Sequence, residues 1–171
     1  MFGVVSGGHF NPAVTLAALA IRRIKPLDAV IYMLAQLIGG VLGAFLTKGL
    51  LLDEGRATNY GATEVSGLLA NNFAGSIVEM IGTFVLVLVI LTAVYSEKSF
   101  KEWAPLAIGM TLGFAVMVAG PLTGAGLNPA RWFGPALVGN EWGDVWPYLA
   151  GPIVGSLLAA GVYRFVLEPG G

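Results

Sequence analysis

The sequence predicts an all-α membrane protein, in which four transmembrane helices and two shorter, re-entrant half-helices form an inverted-repeat bundle. The first observation behind this prediction is composition. Of 171 residues, 56% are hydrophobic and only 11% are charged, whereas about a quarter of the residues of a soluble domain are charged. The second observation is an internal repeat, because the tripeptide Asn-Pro-Ala occurs at 11–13 and again at 128–130.

The residues around the tripeptide are repeated as well. Ser6-Gly7 precedes the first copy and Thr123-Gly124 precedes the second, at the same two positions. In both copies Asn is a favoured N-cap, and Pro suits the first helical position because its missing N–H costs nothing there. The sequence therefore predicts two helices, over about 11–23 and 128–139, each about 18 Å long or roughly half a bilayer.

The glycine-rich stretches before these helices, Ser6–Phe10 and Thr123–Leu127, are predicted to be non-helical at membrane depth. Such backbone is tolerated only where it is buried in protein or lines a water-filled cavity. This pattern indicates a pore.

Four other stretches are apolar and long enough for a hydrocarbon core that needs about 20 residues per helix. They are Leu27–Leu52, Phe73–Tyr95, Trp103–Gly120 and Val145–Leu167. Three of them contain two glycines four residues apart, a spacing that favours close helix contact in lipid. These pairs are Gly39 and Gly43, Gly109 and Gly113, and Gly151 and Gly155.

The basic residues predict the orientation in the membrane. Alternating spans place six of them on one side, which the positive-inside rule makes cytoplasmic: Arg22, Arg23, Lys25, Lys98, Lys101 and Arg164. The connection 53–72 and the acids Glu141 and Asp144 then lie outside. The two half-helices enter from opposite faces, as in an inverted repeat, and we expect a multi-pass protein of the cell membrane.

Charge and composition exclude several classes of function. A net charge of −1 argues against nucleic-acid binding, the absence of cysteine excludes thiol chemistry, and a single histidine disfavours a metal site. We expect neither a cofactor nor an enzyme, because Ser6 and His9 have no orienting acid nearby in sequence. A secondary transporter is disfavoured, since Glu79 is the only acid well inside a span.

These residues resemble the aquaporin (major intrinsic protein) family over essentially the whole chain, through the twin Asn-Pro-Ala motifs (Asn11, Pro12, Ala13; Asn128, Pro129, Ala130) followed by Arg131. The resemblance implies six spans, two half-helices, a pore in each protomer and a homotetramer. It implies that Asn11 and Asn128 meet at the midplane and donate their amides to passing water. It places Arg131 in the outer selectivity filter, with Val116 and Ala125 at two further filter positions.

Elementary electrostatics supports a channel that passes water and excludes ions and protons. Two helix N-termini that face one midplane each contribute about half a positive charge, which repels cations but only orients water. The alternative for each Asn is a plain helix cap. The alternative for Arg131 is an ion pair with Glu141 or Asp144.

Three further residues are candidates for the scaffold of the loops. The resemblance suggests that Glu79 accepts hydrogen bonds from the loop around Thr123. Gln36 is expected to satisfy loop backbone in the same way. His9 is expected to bond backbone or an acid, and the family's acidic partner for it belongs to the first span.

The filter residues predict a water channel with a relaxed filter. Strict water channels resemble each other in placing histidine at the position of Val116, and Ala125 adds no bulk. Such a filter is expected to pass small neutral solutes such as glycerol, urea or peroxide. Trp132, Ala136 and Tyr148 resemble water channels, whereas Leu149 resembles glycerol channels.

The sequence departs from the family before the first motif, where ten residues stand in place of two spans. The fourth filter residue would lie upstream of Met1. We therefore expect one domain, with 1–52 as the remainder of the first repeat, 53–72 as an outer loop and 73–171 as the second repeat. We expect the chain alone not to conduct, and a non-conducting fragment or structural subunit is the alternative.

Overall fold

A computed structural model describes residues 3–51, 53–99 and 101–168, so the predicted end of the first span at Leu52 lies outside the described residues. Every regular element within these ranges is helical, which confirms the all-α prediction. The α-helices, in chain order, are α1 (Gly3–Ser6), α2 (Pro12–Ala20), α3 (Pro26–Leu50), α4 (Asp53–Ala57), α5 (Asn72–Tyr95), α6 (Ala104–Thr123), α7 (Pro129–Gly139) and α8 (Val145–Val162). Short 3₁₀ turns cover Asn59–Gly61 and Lys101–Trp103, and a π-turn covers Tyr163–Leu167.

Four helices are long and apolar enough to cross a membrane, as the sequence predicts. They are Pro26–Leu50, Asn72–Tyr95, Lys101–Thr123 and Val145–Leu167, with 25, 24, 23 and 23 residues when the short terminal turns are included. The third continues past its predicted end at Gly120. It includes Pro121 and stops at Gly124, whose φ of 70° gives the left-handed C-cap that glycine favours.

Two shorter helices follow the repeated tripeptide. The first, α2, stops at Ala20 rather than near Arg23, because Arg22 takes the left-handed conformation with φ of 61°. The second, α7, stops at Gly139 as predicted, and Asn140 forms its left-handed cap with φ of 58°. The loops before them are shorter than predicted at one end, since Ser6 and Thr123 are the last residues of α1 and α6.

Glycines permit two close helix crossings. A Cβ atom on Gly155 would lie 2.3 Å from the carbonyl oxygen of Met80, so α8 packs backbone to backbone on α5. A Cβ on Gly134 would lie 2.2 Å from the carbonyl oxygen of Gly40, so α7 approaches α3 equally closely. The pair Gly151 and Gly155 therefore packs as predicted.

The other two glycine pairs make no close contact among the residues that the structure describes, so their role in helix packing stays a prediction. A Cβ on any of their members would meet no atom within 4 Å: Gly39, Gly43, Gly109 and Gly113. In α3 the close contact is made by Gly40, one residue further along. One residue rotates a helix face by about 100°, so the pair Gly39 and Gly43 did not predict the face of α3 on which α7 packs.

The first half-helix packs against α8, α3 and α5. Val14 and Ala17 of α2 are buried in one apolar cluster with Val87 and Leu91 of α5 and with Ala159 of α8. The second half-helix lies against α3 and contributes to a different cluster around Tyr148. Both half-helices therefore lie against α3, and their buried apolar residues belong to different clusters.

Candidate pore and its filter

The repeat in the sequence is also a repeat in backbone conformation. Each loop before a half-helix has positive φ at three equivalent positions. At two of these three positions, at least one of the two loops has a residue other than glycine. Positive φ is uncommon outside glycine, so its recurrence shows that the two loops fold in the same way. The matched pairs are Gly7 (83°) with Gly124 (70°), Gly8 (62°) with Ala125 (48°), and Phe10 (51°) with Leu127 (52°).

Both asparagines cap their own half-helix. The side-chain oxygen of Asn11 accepts from the amide of Ala13 at 2.9 Å, and that of Asn128 accepts from the amide of Ala130 at 3.0 Å. Each side chain thus uses its oxygen locally. Its NH₂ group remains available for partners outside the helix.

The two NH₂ groups cross-link the loops reciprocally. Asn11 Nδ2 donates to the carbonyl of Leu127 at 2.8 Å, and Asn128 Nδ2 donates to the carbonyl of Phe10 at 2.9 Å. Each accepting residue directly precedes the other asparagine. The N-termini of α2 and α7 therefore face each other, and each amide has one further N–H beyond its cross-link. The family resemblance implied that these amides donate to water, and their carbonyl partners were not predicted from the sequence.

A buried carboxylate organises the second loop. Glu79 of α5 is fully buried, and its Oε1 accepts from the hydroxyl of Thr123 at 2.6 Å and from the amide of Gly126 at 2.8 Å. Its Oε2 accepts from the amide of Leu127 at 2.5 Å. Tyr148 donates its hydroxyl to the Thr123 carbonyl at 2.6 Å. These contacts use both carboxylate oxygens within the protein.

Side-chain hydroxyls, an imidazole and an amide hold the first loop. His9 places Nδ1 3.0 Å from the hydroxyl of Thr15 and Nε2 3.3 Å from that of Tyr95. Its backbone amide donates to the hydroxyl of Tyr32 at 3.3 Å, and Gln36 Nε2 donates to Thr15 at 3.0 Å. Two expectations were therefore wrong. The His9 ring bonds hydroxyls rather than backbone or an acid, and Gln36 bonds the Thr15 side chain rather than loop backbone, because Thr15 lies between them.

Arg131 lies in the first turn of α7 and is not paired with an acid. Its Nη1 donates to the carbonyl of Gly61 at 2.7 Å, in the connection between α4 and α5. Among the contacts of the described residues, no ion pair joins it to Glu141 or Asp144, so that alternative is wrong. Gly61 was missed from sequence, although it ends a turn with positive φ at Asn59, Tyr60 and Gly61.

The remaining filter candidates differ in exposure. Ala125 is buried in the second loop, whereas Val116 lies on α6 with 45% of its surface exposed. Their assignment to a filter stays a prediction. Trp132, Ala136 and Tyr148, whose types resemble those of water channels, form one buried cluster. Trp132 stacks on Tyr148 with ring centroids 6.2 Å apart, so these residues pack α7 on α8.

Two opposed half-helices among four apolar helices of membrane-spanning length define a multi-pass integral membrane protein with a re-entrant inverted repeat. The sequence matches the model of the Major intrinsic protein family over residues 1–163, and the chain belongs to that family. It is 44% identical to the probable aquaporin TIP3-2 of Arabidopsis thaliana, over 96% of this chain and 61% of the relative. It is 40% identical to Aquaporin-4 of Bos taurus, over 98% of this chain and 52% of the relative.

A solved structure gives the same fold. The aquaglyceroporin from Plasmodium falciparum superposes with a TM-score of 0.78 at 25% identity, over 98% of this chain and 76% of that one. The chain spans between 52% and 61% of the length of the curated relatives it matches.

Proposed function

We propose that this chain belongs to a passive channel for water that also admits small neutral solutes and excludes ions and protons. The single observation that supports this most is the reciprocal cross-link between the two half-helix N-termini. It brings two positive dipole ends to one place, each worth about half a charge. Cations are repelled there, while a neutral molecule is only oriented.

The asparagines would provide the passage site. With Nδ2 of each already donating to a loop carbonyl, the second N–H of each amide is the group that meets a permeating water. A water oxygen that accepts from these donors cannot also accept from a neighbouring water. The hydrogen-bonded chain along which a proton would travel is interrupted at this point.

Arg131 would set the narrowest part of the outer mouth. Its guanidinium is oriented by the carbonyl of Gly61, and it offers further N–H donors to a polar solute. Val116 and Ala125 would form the apolar side of the same filter, and their small size supports passage of glycerol or urea beside water. A location in the cell membrane and a homotetramer belong to this proposal.

Osmotic shrinkage of proteoliposomes tests the proposal. Two forms should be compared: this chain, and an extended form in which it follows the residues that precede the matched region in the Arabidopsis relative. We expect the extended form to raise water permeability well above empty liposomes, with a weak temperature dependence and without proton flux. Saturable uptake that depends on an ion gradient would instead indicate a transporter.

A further inference from the structure

Asp144 directly precedes α8 but does not cap it. Aspartate is favoured at this position because its carboxylate accepts from amides of the first turn, yet Asp144 makes no such bond. Its Oδ2 accepts from the backbone amide of Val65 at 3.0 Å, and its Oδ1 accepts from the side chain of Asn72 at 2.7 Å. The carboxylate is thus committed to a segment distant in sequence.

That segment, residues 59–66, lies over the second re-entrant loop, and we call it the cover segment. A Cβ atom on Gly124 would lie 3.2 Å from Cβ of Thr63, and the amide of Ser66 donates to the carbonyl of Leu122 at 2.9 Å. Four residues before Val65, the carbonyl of Gly61 accepts from Arg131. One short stretch therefore connects the carboxylate of Asp144 with the guanidinium of Arg131.

We propose that Asp144 is a positioning residue for Arg131. By tying Val65 of the cover segment to Asn72 at the start of α5, it keeps the Gly61 carbonyl where the guanidinium can donate to it. Hydrogen bonds to an ionised acceptor are roughly twice as strong as neutral ones. Loss of both contacts should therefore raise, about tenfold or more, the fraction of molecules in which the cover segment is detached from the second loop. The consequence for solute choice rests on the proposed function, but the positioning itself does not.

Thiol labelling tests the positioning without any measurement of transport. The chain has no cysteine, so Thr63→Cys introduces a single thiol at a site that is 8% exposed. In detergent micelles we expect slow maleimide labelling, about tenfold faster with Asp144→Ala. Asp144→Asn keeps one acceptor oxygen and should give an intermediate rate. Glu141→Gln, an exposed acid in the same connection, should leave the rate unchanged.

A second variant keeps the test decisive if Asp144→Ala does not fold. Asn72→Ala removes one of the two donors and leaves the carboxylate in place, so labelling should rise by a few-fold. Equal labelling rates in the parent, Asp144→Asn and Asn72→Ala forms would overturn the proposal.

Solute selectivity separates positioning from a general structural role. In the extended form, Asp144→Asn should raise the ratio of glycerol to water permeability several-fold, because the guanidinium loses its fixed acceptor. An equal loss of both permeabilities with an unchanged ratio would contradict the positioning role. If the parent passes neither solute, the proposed function fails, and the labelling order alone decides the positioning.

Discussion

The two re-entrant loops have the same backbone but different chemical supports. Positive φ recurs at matched sites of both loops, and both asparagines make matched hydrogen bonds. The second loop is nevertheless held by the two carboxyl oxygens of Glu79, which accept from three donors. The first is held by contacts among His9, Thr15 and Gln36, none of which is an acid. One geometry can therefore be maintained by two unrelated networks.

This difference teaches that the two copies share the contacts that cross-link the half-helices but not the contacts that hold each loop. In both copies the asparagine amide donates to the carbonyl that precedes the other asparagine. The buried backbone donors of each loop need partners at membrane depth, and the two copies obtain them from different side chains. The supports should consequently differ in how much stability they contribute.

The largest expected effect is at Glu79. Glu79→Gln places an NH₂ group against donors from Thr123, Gly126 or Leu127, so at least one buried donor loses its acceptor. We expect the free energy of unfolding to fall by about 3 kcal/mol, which corresponds to roughly 6–12 °C in thermal midpoint for a chain of this size. Thermal unfolding in detergent measures this. Glu64→Gln, an exposed acid of the outer connection, is the matched control, and an equal midpoint for both variants would refute the role of Glu79.

A smaller loss is expected where α7 crosses α3. Gly134→Ala would place a methyl group 2.2 Å from the carbonyl of Gly40, and overpacking of this kind costs about 1–3 kcal/mol. Gly39→Ala is the matched control, because a methyl group there meets nothing within 4 Å. The same thermal assay should therefore separate the two alanines. Similar midpoints would mean that the crossing is not as close as described.

The first loop should be less sensitive than the second. Thr15→Val preserves shape but removes the hydroxyl that contacts His9 and Gln36, and neutral hydrogen bonds contribute about 1 kcal/mol each. We expect a loss of about 1–2 kcal/mol, less than for Glu79→Gln. A greater loss at Thr15 would reverse the comparison between the two loops. Thr92→Val is the control for the cost of replacing a threonine by valine in a helix, since the Thr92 hydroxyl donates to the carbonyl of Leu88 in its own helix.

Much of this architecture follows from the sequence, for physical reasons. Apolar stretches of bilayer length predict spans, and Asn-Pro predicts a helix start because capping and the missing proline N–H act locally. The spans and the start of each half-helix were therefore predictable. The end of α2 was not, because it depends on the left-handed Arg22. The glycine face of α3 was also not predictable, since it depends on where α7 lies.

The partners of the site residues were harder to predict than the residues themselves. Composition identifies Glu79 and His9 as polar groups that need partners in an apolar region. Which hydroxyl or amide they meet depends on contacts between residues far apart in sequence. Two examples are the bond from Arg131 to the Gly61 carbonyl and the bonds that Asp144 accepts from Val65 and Asn72. A turn-forming Asn-Tyr-Gly at 59–61 and an aspartate at a helix start carry no signal of pairing with distant residues.

The effect that is most informative for function is expected at the asparagines. Asn128→Asp keeps the helix cap, because a carboxylate caps as well as an amide oxygen. It replaces the donor to the Phe10 carbonyl by an anion that offsets the two positive dipole ends. Asn71→Asp is the matched control, since Asn71 caps α5 through the amide of Ala74 at 3.0 Å, away from the loops.

The most direct test of the account compares proton flux with water permeability in proteoliposomes that contain the extended form. A pH-sensitive dye inside the liposomes reports protons, and light scattering reports osmotic water flow. The account predicts water flow without proton or cation flux in the parent and in Asn71→Asp, and a measurable cation flux in Asn128→Asp. Proton flux in the parent, or unchanged exclusion in Asn128→Asp, would contradict the claim that the two opposed half-helix N-termini form the barrier.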